Sequence, residues 1–365
     1  MTTTPEAMTS HPLHTGVTAD APLITEYLGG KTFTGEAVRP ARRPVWFMRQ
    51  AGRSLPEYRA LREGTTMLEA CLKPDMVAEI TLQPVRRHDV DAAIFFSDIV
   101  VPLRLAGVDV EIEPGVGPVL KNPVRSAADV AALPDLDLKD FEVISEAAAQ
   151  CVSLLGPRPL IGFAGAPFTL AAYMVEGRPS RDHLGPRTMM HADPQTWHAL
   201  AEWTARASGL FMRAQVLAGA SAVQLFDSWA GSLGRADYAE RVMQHSAAAF
   251  AEVADLGVPA VHFGTGTGEI LDLMQRAGAD VIGVDYRLDL AEVATRLPGT
   301  PLQGNIDPAL LTAPWEVLEA HVHTVIEAGS RAPGHVVNLG HGVPPETDPD
   351  VLTRVVELVH SQPVN

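Results

Sequence analysis

Cysteine is nearly missing from this 365-residue chain: Cys71 and Cys151 stand alone, form no C-x-x-C pair and lie far from any histidine pair at metal-ligand spacing. Both facts count against a disulfide scaffold and a structural zinc site, and they make a reducing cytoplasm the expected location. Long apolar runs are missing as well. No stretch reaches the roughly eighteen apolar residues that a membrane span requires. Residues 1–20 are rich in Thr, Pro, His and Ala and lack the apolar core of a signal peptide, so a disordered tail is expected over 1–22. Positive charge is the third scarcity. Against 44 Asp and Glu the chain has only 28 Lys and Arg, a formal net charge of −16. Such a chain is a poor partner for nucleic acid, whose binding depends on neutralising phosphates. Its long-range field also repels small anions. A polyanionic substrate would need positive charge concentrated locally, and residues 42–62 supply it: Arg42, Arg43, Arg49, Arg53, Arg59 and Arg62 face Glu57 as the lone acid.

Apolar residues make up 46% and charged residues 20%, the balance of an ordinary globular protein. The length suits one large barrel or two ordinary domains, with a core that needs no staples. Eight short apolar runs recur: PVWFM (44–48), AAIFF (92–96), PLIGF (159–163), SAVQLF (221–226), PAVHF (259–263), DVIGV (280–284), TPLQ (300–303) and HVVNL (335–339). Between several of them lie helical patterns, at 67–88, 194–219 and 236–257. Short buried strands alternating with helices predict a parallel sheet. Eight of them fit a (β/α)8 TIM barrel, with an open doubly wound sheet as the alternative. Residues 108–120 read as an extra hairpin.

In such a barrel the chemistry sits at the C-terminal ends of the strands. The runs are followed by RQAGR (49–53), Ser97–Asp98, AGAPFTLAAYMVEG (164–177), DSWAG (227–231), GTGTG (264–268), Asp285, GNID (304–307) and GHG (340–342). Glycines and reactive polar groups at every end favour an enzyme over a structural barrel. Arg49 and Arg53, four apart, share a face if the segment is helical, and their planar forks suit carboxylates. A solvated basic helix end is the plainer reading, but Trp46, Phe47 and Met48 lead straight from an apolar strand into the pair and favour burial near a pocket. Asp98 emerges from an apolar run and needs partners, either a ligand or the first turn of a helix that it caps. Tyr173 reads as packing with a satisfied hydroxyl or as a ligand contact, and Ser228 as a cap or a contact. His341 lies between two glycines that permit close approach. GTGTGE (264–269) is not a G-x-G-x-x-G dinucleotide loop. His321 and His323, two apart on a helix, point to different faces. GNID has no second carboxylate cluster to make a metal loop.

FMRQAGRSLPEYR (47–59), FFSDIVVPLRLAG (95–107), GFAGAPFTLAAYMVEG (162–177), QLFDSWAG (224–231), ADVIGVDYR (279–287), LQGNIDP (302–308) and NLGHGVPPETDP (338–349) together resemble the uroporphyrinogen decarboxylase family, in the family's order. The resemblance runs from about residue 23 to 360. It implies a single-domain TIM barrel over 23–362, a homodimer, and neither metal nor organic cofactor. It also implies the loss of carbon dioxide from the four acetate groups of uroporphyrinogen III, giving coproporphyrinogen III for haem synthesis. By the same resemblance Arg49, Gln50, Ala51, Gly52 and Arg53 line the substrate site, with Arg62 further along the loop. Asp98 becomes the central catalytic carboxylate, and Tyr173, Ser228 and His341 contact substrate carboxylates. Ser54 departs from the family, which often has an aromatic residue there. Two other readings stay open. A corrinoid-linked methyltransferase of the same barrel would need a Cys/His metal site, against which Cys71 and Cys151 are expected in helices away from the strand ends. A non-catalytic porphyrin-binding protein would bind without turnover.

Overall fold

The structure, a computed structural model, describes residues 8–364. Its centre is a curled parallel sheet of seven strands whose spatial order follows the chain. The strands are β1 (Ala93–Ile94), β4 (Leu160–Gly165), β5 (Ala222–Phe226), β6 (Ala260–Phe263), β7 (Val281–Gly283), β8 (Leu302–Gln303) and β9 (His335–Val336). Between β1 and β4 stands the expected hairpin, β2 (Val110–Glu113) paired antiparallel with β3 (Gly117–Leu120). Seven of the eight apolar runs are therefore strands. All six residues of β4 are buried, as a strand covered on both faces must be.

The first run behaves differently. Residues 44–48 make one isolated parallel bridge, Val45 to Val337, instead of a regular strand. Pro44 has no N–H to donate, and the Val45 N–H is taken by the Asp91 side chain at 2.8 Å instead of by a strand carbonyl. The segment still touches both edges of the sheet. Trp46 N–H donates to Val337 O at 3.2 Å, Val337 N–H to Pro44 O at 3.0 Å, and Asp91 N–H to Val45 O at 2.9 Å.

Three local expectations need correction. Of the expected disordered tail, residues 1–7 lie outside the described residues, but from Met8 onward the chain is packed. Met8, His11, Leu13 and Thr18 are buried. His11 Nε2 bonds Ala220 O at 3.1 Å and Thr18 Oγ1 bonds Ser221 Oγ at 2.9 Å, so the segment docks where β5 begins. A few large apolar side chains and two polar contacts sufficed, where bulk composition suggested none. The helix expected over 67–88 is two, Met67–Cys71 and Pro74–His88. Lys73 precedes a proline and is extended, at φ −109° and ψ 100°. The helix over 236–257 breaks likewise at Val242, into Arg235–Arg241 and Met243–Ala254. The third long helix, Pro194–Leu217, is continuous and is capped by Asp193.

The interior carries polar groups as well as apolar ones. Trp46 Nε1 donates to Tyr27 Oη at 3.2 Å, and Tyr27 Oη in turn donates to Gln303 Oε1. Gln303 Nε2 donates to Gln224 Oε1 at 3.0 Å, and Gln224 Nε2 approaches Met48 Sδ at 3.6 Å. This buried chain ends one residue before Arg49.

Histidines in the interior have a consequence for stability. Burial pushes His88, His245 and His335 from 6.5 down to about 4. Between those values the unfolded chain binds protons that the folded chain refuses, so stability rises with pH across the window and is lost on acidification. At about 1.4 kcal/mol per pH unit, His335 alone is worth on the order of 3 kcal/mol between pH 6.5 and 4. The urea midpoint is expected to fall steeply from pH 6.5 to 4.5, and His335→Gln should flatten that slope. A midpoint unchanged over this range would contradict the burial of these rings in neutral form.

Candidate active site

The loops that leave the sheet at its C-terminal edge bring most of the expected residues together. Residues 48–53 form a turn, not the helical turn on which a shared arginine face would depend. Arg49 takes the left-handed conformation, with φ at 61°. Gln50, expected at the substrate, is instead fully buried behind the turn. Its Oε1 accepts Phe47 N–H at 3.0 Å and its Nε2 donates to Ala92 O at 3.0 Å. It braces the loop against the start of β1. Ala51 and Gly52 are half-buried. A Cβ on Gly52 would lie 2.9 Å from Arg49 O, so a side chain there would push on the turn. The Ser54 hydroxyl is buried without a hydrogen-bond partner.

The basic cluster does not act as one. Arg42 pairs with Asp91 at 2.7 Å and Asp89 at 3.1 Å. Arg43 is buried and donates to Pro363 O at 3.1 Å. Arg59 donates to Ser54 O at 3.2 Å and to Arg53 O at 2.6 Å. Arg62, a second expected substrate contact, donates to Met67 Sδ at 2.9 Å, Thr65 O at 3.1 Å and Tyr58 Oη at 3.3 Å. It buttresses its own loop. Of the six arginines, Arg49 and Arg53 are left exposed, with guanidinium groups unbonded among the described residues.

Asp98 follows β1. Its Oδ1 accepts the Val100 N–H at 3.1 Å, an Asx turn just ahead of the helix Val101–Leu105, whose N-cap is Val100, so Asp98 does not cap that helix as the capping reading expected. Burial raises its pKa, while the Val100 N–H and the charge of Arg49 pull it down. Tyr173, on the helix Pro167–Glu176, is 9% exposed. Its hydroxyl is pushed up to about 12 by burial and then by Asp98, with Arg49 opposing. The Tyr173 ring lies on Trp229 at 3.9 Å, and Trp229 meets His183 edge-on at 4.3 Å. Ser228, next to Trp229, is half-buried, and its carbonyl accepts Thr265 Oγ1 at 3.0 Å. His341 keeps an open face, yet crowding by the surrounding walls lowers its pKa, and Arg49 and Arg287 lower it further.

Arg49, Asp98, Tyr173 and His341 thus form one electrostatic group, centred on Arg49. Arg53 joins it through Tyr58, whose hydroxyl responds to Arg62, Cys71, Arg53 and Asp98 after burial. Gln50 and Arg62 stand behind this group. Tyr58, Trp229 and Arg287 stand around this group as well; each lies in a segment that carries the family resemblance, and nothing in local spacing marks it out. Arg287 Nη1 pairs with Asp285 at 2.6 Å, and Asp285 also accepts the Gly266 N–H, so GTGTG is a tight turn held by the next strand end. Cys71 is a correction too. It lies beside a strand end, near Ser97 and Asp98, which both act on its thiol. Burial pushes its thiol up, and the Cys151 thiol up to about 12, which disfavours the thiolates that metals require. Among the described residues no group of three or more His, Cys, Asp or Glu side chains could hold a metal ion.

Two arginines whose guanidinium groups have no hydrogen-bond partners among the described residues, one of them acting on a buried carboxylate at the C-terminal edge of a curled parallel sheet, fit an α/β enzyme. The family described as uroporphyrinogen decarboxylase (URO-D) matches residues 30–362, and the chain belongs to it. A uroporphyrinogen decarboxylase of Arthrobacter sp. (strain FB24) is 71% identical over 347 residues, 95% of this chain and 98% of that protein. One from Leifsonia xyli subsp. xyli (strain CTCB07) is 58% identical, over 96% of this chain and 97% of its own. Among solved structures, a methyltransferase from Methanosarcina mazei superposes with a TM-score of 0.76 at 19% identity, covering 94% of this chain and 98% of its own. At that identity the likeness concerns the fold alone.

Proposed function

We propose that this chain is a carboxy-lyase that removes carbon dioxide from the four acetate side chains of uroporphyrinogen III, giving coproporphyrinogen III in haem biosynthesis. The carrying observation is Arg49, left free and acting on the charge of Asp98, in a chain 71% identical to a uroporphyrinogen decarboxylase. On this reading residues 44–48 act as an eighth strand that closes a single-domain (β/α)8 barrel over 23–362. Their hydrogen bonds to Val337 on one side and Asp91 on the other support that closure. The enzyme works in the cytoplasm as a homodimer, without metal or organic cofactor.

The substrate carries eight carboxylates on a ring of four pyrroles. Arg49 and Arg53 hold carboxylates through two-pronged hydrogen bonds. Tyr173, Ser228 and His341 are further carboxylate contacts. A domed macrocycle turns its four N–H groups to one side, where Asp98 can accept several at once; such bonds favour the ionised form against the burial that opposes it. Decarboxylation uses the pyrrole as electron sink once a ring carbon is protonated. The resulting cation is stabilised by the fixed charge of Asp98 in a site with little water, an electrostatic effect of the kind that dominates many enzymes.

The test is anaerobic incubation of the protein with reduced uroporphyrinogen III and a chelator, following carboxyl loss by chromatography. Stepwise products ending in coproporphyrinogen are expected. Binding without carbon dioxide release would leave a porphyrin-binding protein instead. In the same assay Arg53→Lys should raise KM about ten-fold, because a point charge replaces a fork. An unchanged KM and rate would remove Arg53 from the anchoring set.

A further inference from the structure

We infer that Asn338 is a positioning residue for Arg49: its side chain fixes the left-handed turn that aims the guanidinium into the cleft. The inference rests on the proposed role of Arg49 in holding a substrate carboxylate.

An arginine at φ 61° occupies a backbone region that favours glycine, so the surroundings must impose it. The residue before it, Met48, has both backbone groups tied to the segment that follows β9. Met48 N–H donates to Asn338 Oδ1 at 3.0 Å, and Val343 N–H donates to Met48 O at 2.9 Å. Asn338 Oδ1 also accepts Leu339 N–H at 2.8 Å, so two backbone donors set which end of the amide faces the turn. Asn338 is completely buried. A residue that could not accept there would strand two buried N–H groups.

The same segment shapes the path of the Arg49 side chain. A Cβ on Gly342 would sit 2.5 Å from Arg49 Cδ and 2.8 Å from its Cγ, so the arginine stem lies along the space this glycine leaves. Between them, His341 responds to the charge of Arg49. Residues 338–343 therefore act as one support: Asn338 sets the backbone before Arg49, and Gly342 leaves room for the stem. Asn338 itself is sealed behind the turn and acts through Arg49.

A cap that only stabilised the end of β9 would lower stability without coupling to Arg49. The experiment is a double-mutant cycle with Asn338→Ala and Arg49→Ala, with Asn338→Asp as the conservative variant. Each enzyme is measured for steady-state decarboxylation of uroporphyrinogen III and for thermal unfolding. Asn338→Ala is expected to lower kcat/KM by about 30- to 100-fold, chiefly through KM, because a displacement of about 1 Å can cost that much. Asn338→Asp keeps the acceptor and should come within about five-fold of wild type. In the Arg49→Ala background the Asn338→Ala change should add less than about three-fold, since nothing is left to aim. An Asn338→Ala enzyme within about three-fold of wild type, or one whose loss multiplies undiminished with that of Arg49→Ala, would overturn the inference. Should Asn338→Ala fail to fold, Asn338→Ser carries the cycle in its place. An Arg49→Ala enzyme with full activity would instead overturn the anchoring role from which the inference starts.

Discussion

Asp98→Asn is expected to lower kcat by about 10²- to 10³-fold, the range seen when one pre-placed electrostatic partner is removed from an active site. Asparagine keeps the volume and an oxygen for the Val100 N–H, so the Asx turn just ahead of the helix Val101–Leu105 survives. Only the charge is lost. Because burial raises the pKa of Asp98, its ionised form costs the fold stability, and the neutral variant should melt no lower than wild type. A slow enzyme that is at least as stable is the distinguishing result. A variant that forms product at a near-normal rate would exclude Asp98 as the charge that stabilises the protonated ring.

Arg49→Ala carries the second largest expected effect, a loss of about 10²- to 10³-fold in kcat/KM. Two charged hydrogen bonds at the lower end of their range, about 1.5–2 kcal/mol each, supply about 3–4 kcal/mol. Each 1.4 kcal/mol is roughly a factor of ten. This variant has a second readout. Arg49 pulls the pKa of Asp98 down against burial, so without it the carboxyl should protonate at higher pH. The acidic limb of the rate profile is expected to move upward in pH relative to wild type. A profile that kept its acidic limb, whatever the loss in kcat/KM, would show that Arg49 lies too far from Asp98 to tune its charge.

Asp98 and Arg49 were unequally visible in the chain. AAIFF followed by Ser97–Asp98 is a local pattern: an apolar strand, then a carboxylate at its exit. The strand and the exit both appear in the structure, and so do the runs that became β4 to β9. Such patterns are legible because a strand buried on both faces must be apolar over adjacent residues. The hairpin over 108–120 was legible for a related reason, as a short stretch set apart between glycines and prolines. The first run has the same apolar pattern as the others and predicts a strand. Its proline and the capture of the Val45 N–H by Asp91, forty-six residues away, leave it a bridge.

The arginines show where local pattern stops. Six of them between residues 42 and 62 look alike, and their number answers the demand that a −16 chain makes of a polyanion site. Which of them stay free depends on partners far along the chain: Asp89 and Asp91 for Arg42, Pro363 for Arg43. Gln50 likewise reads as part of a basic, polar loop, but the carbonyl of Ala92 draws it inward. Cys71 sits in a helix that appears remote until the packing of that helix sets its thiol beside Ser97 and Asp98. None of these contacts has a sequence period or spacing, since each joins elements that meet only when the sheet curls.

By itself the sequence determined the alternation of strand and helix, the exits that carry reactive groups, the local excess of arginine and the family. Apolar runs, glycines and charges are properties of neighbouring residues, and they survive in any fold. The tertiary structure alone decided that Arg49 and Arg53 stay free while four neighbouring arginines are bonded elsewhere. It also decided that Asn338 and Gly342, almost three hundred residues downstream, hold Arg49 in place. Those outcomes depend on which buried acceptors and which open spaces lie within a few ångströms, and only chain closure brings them there.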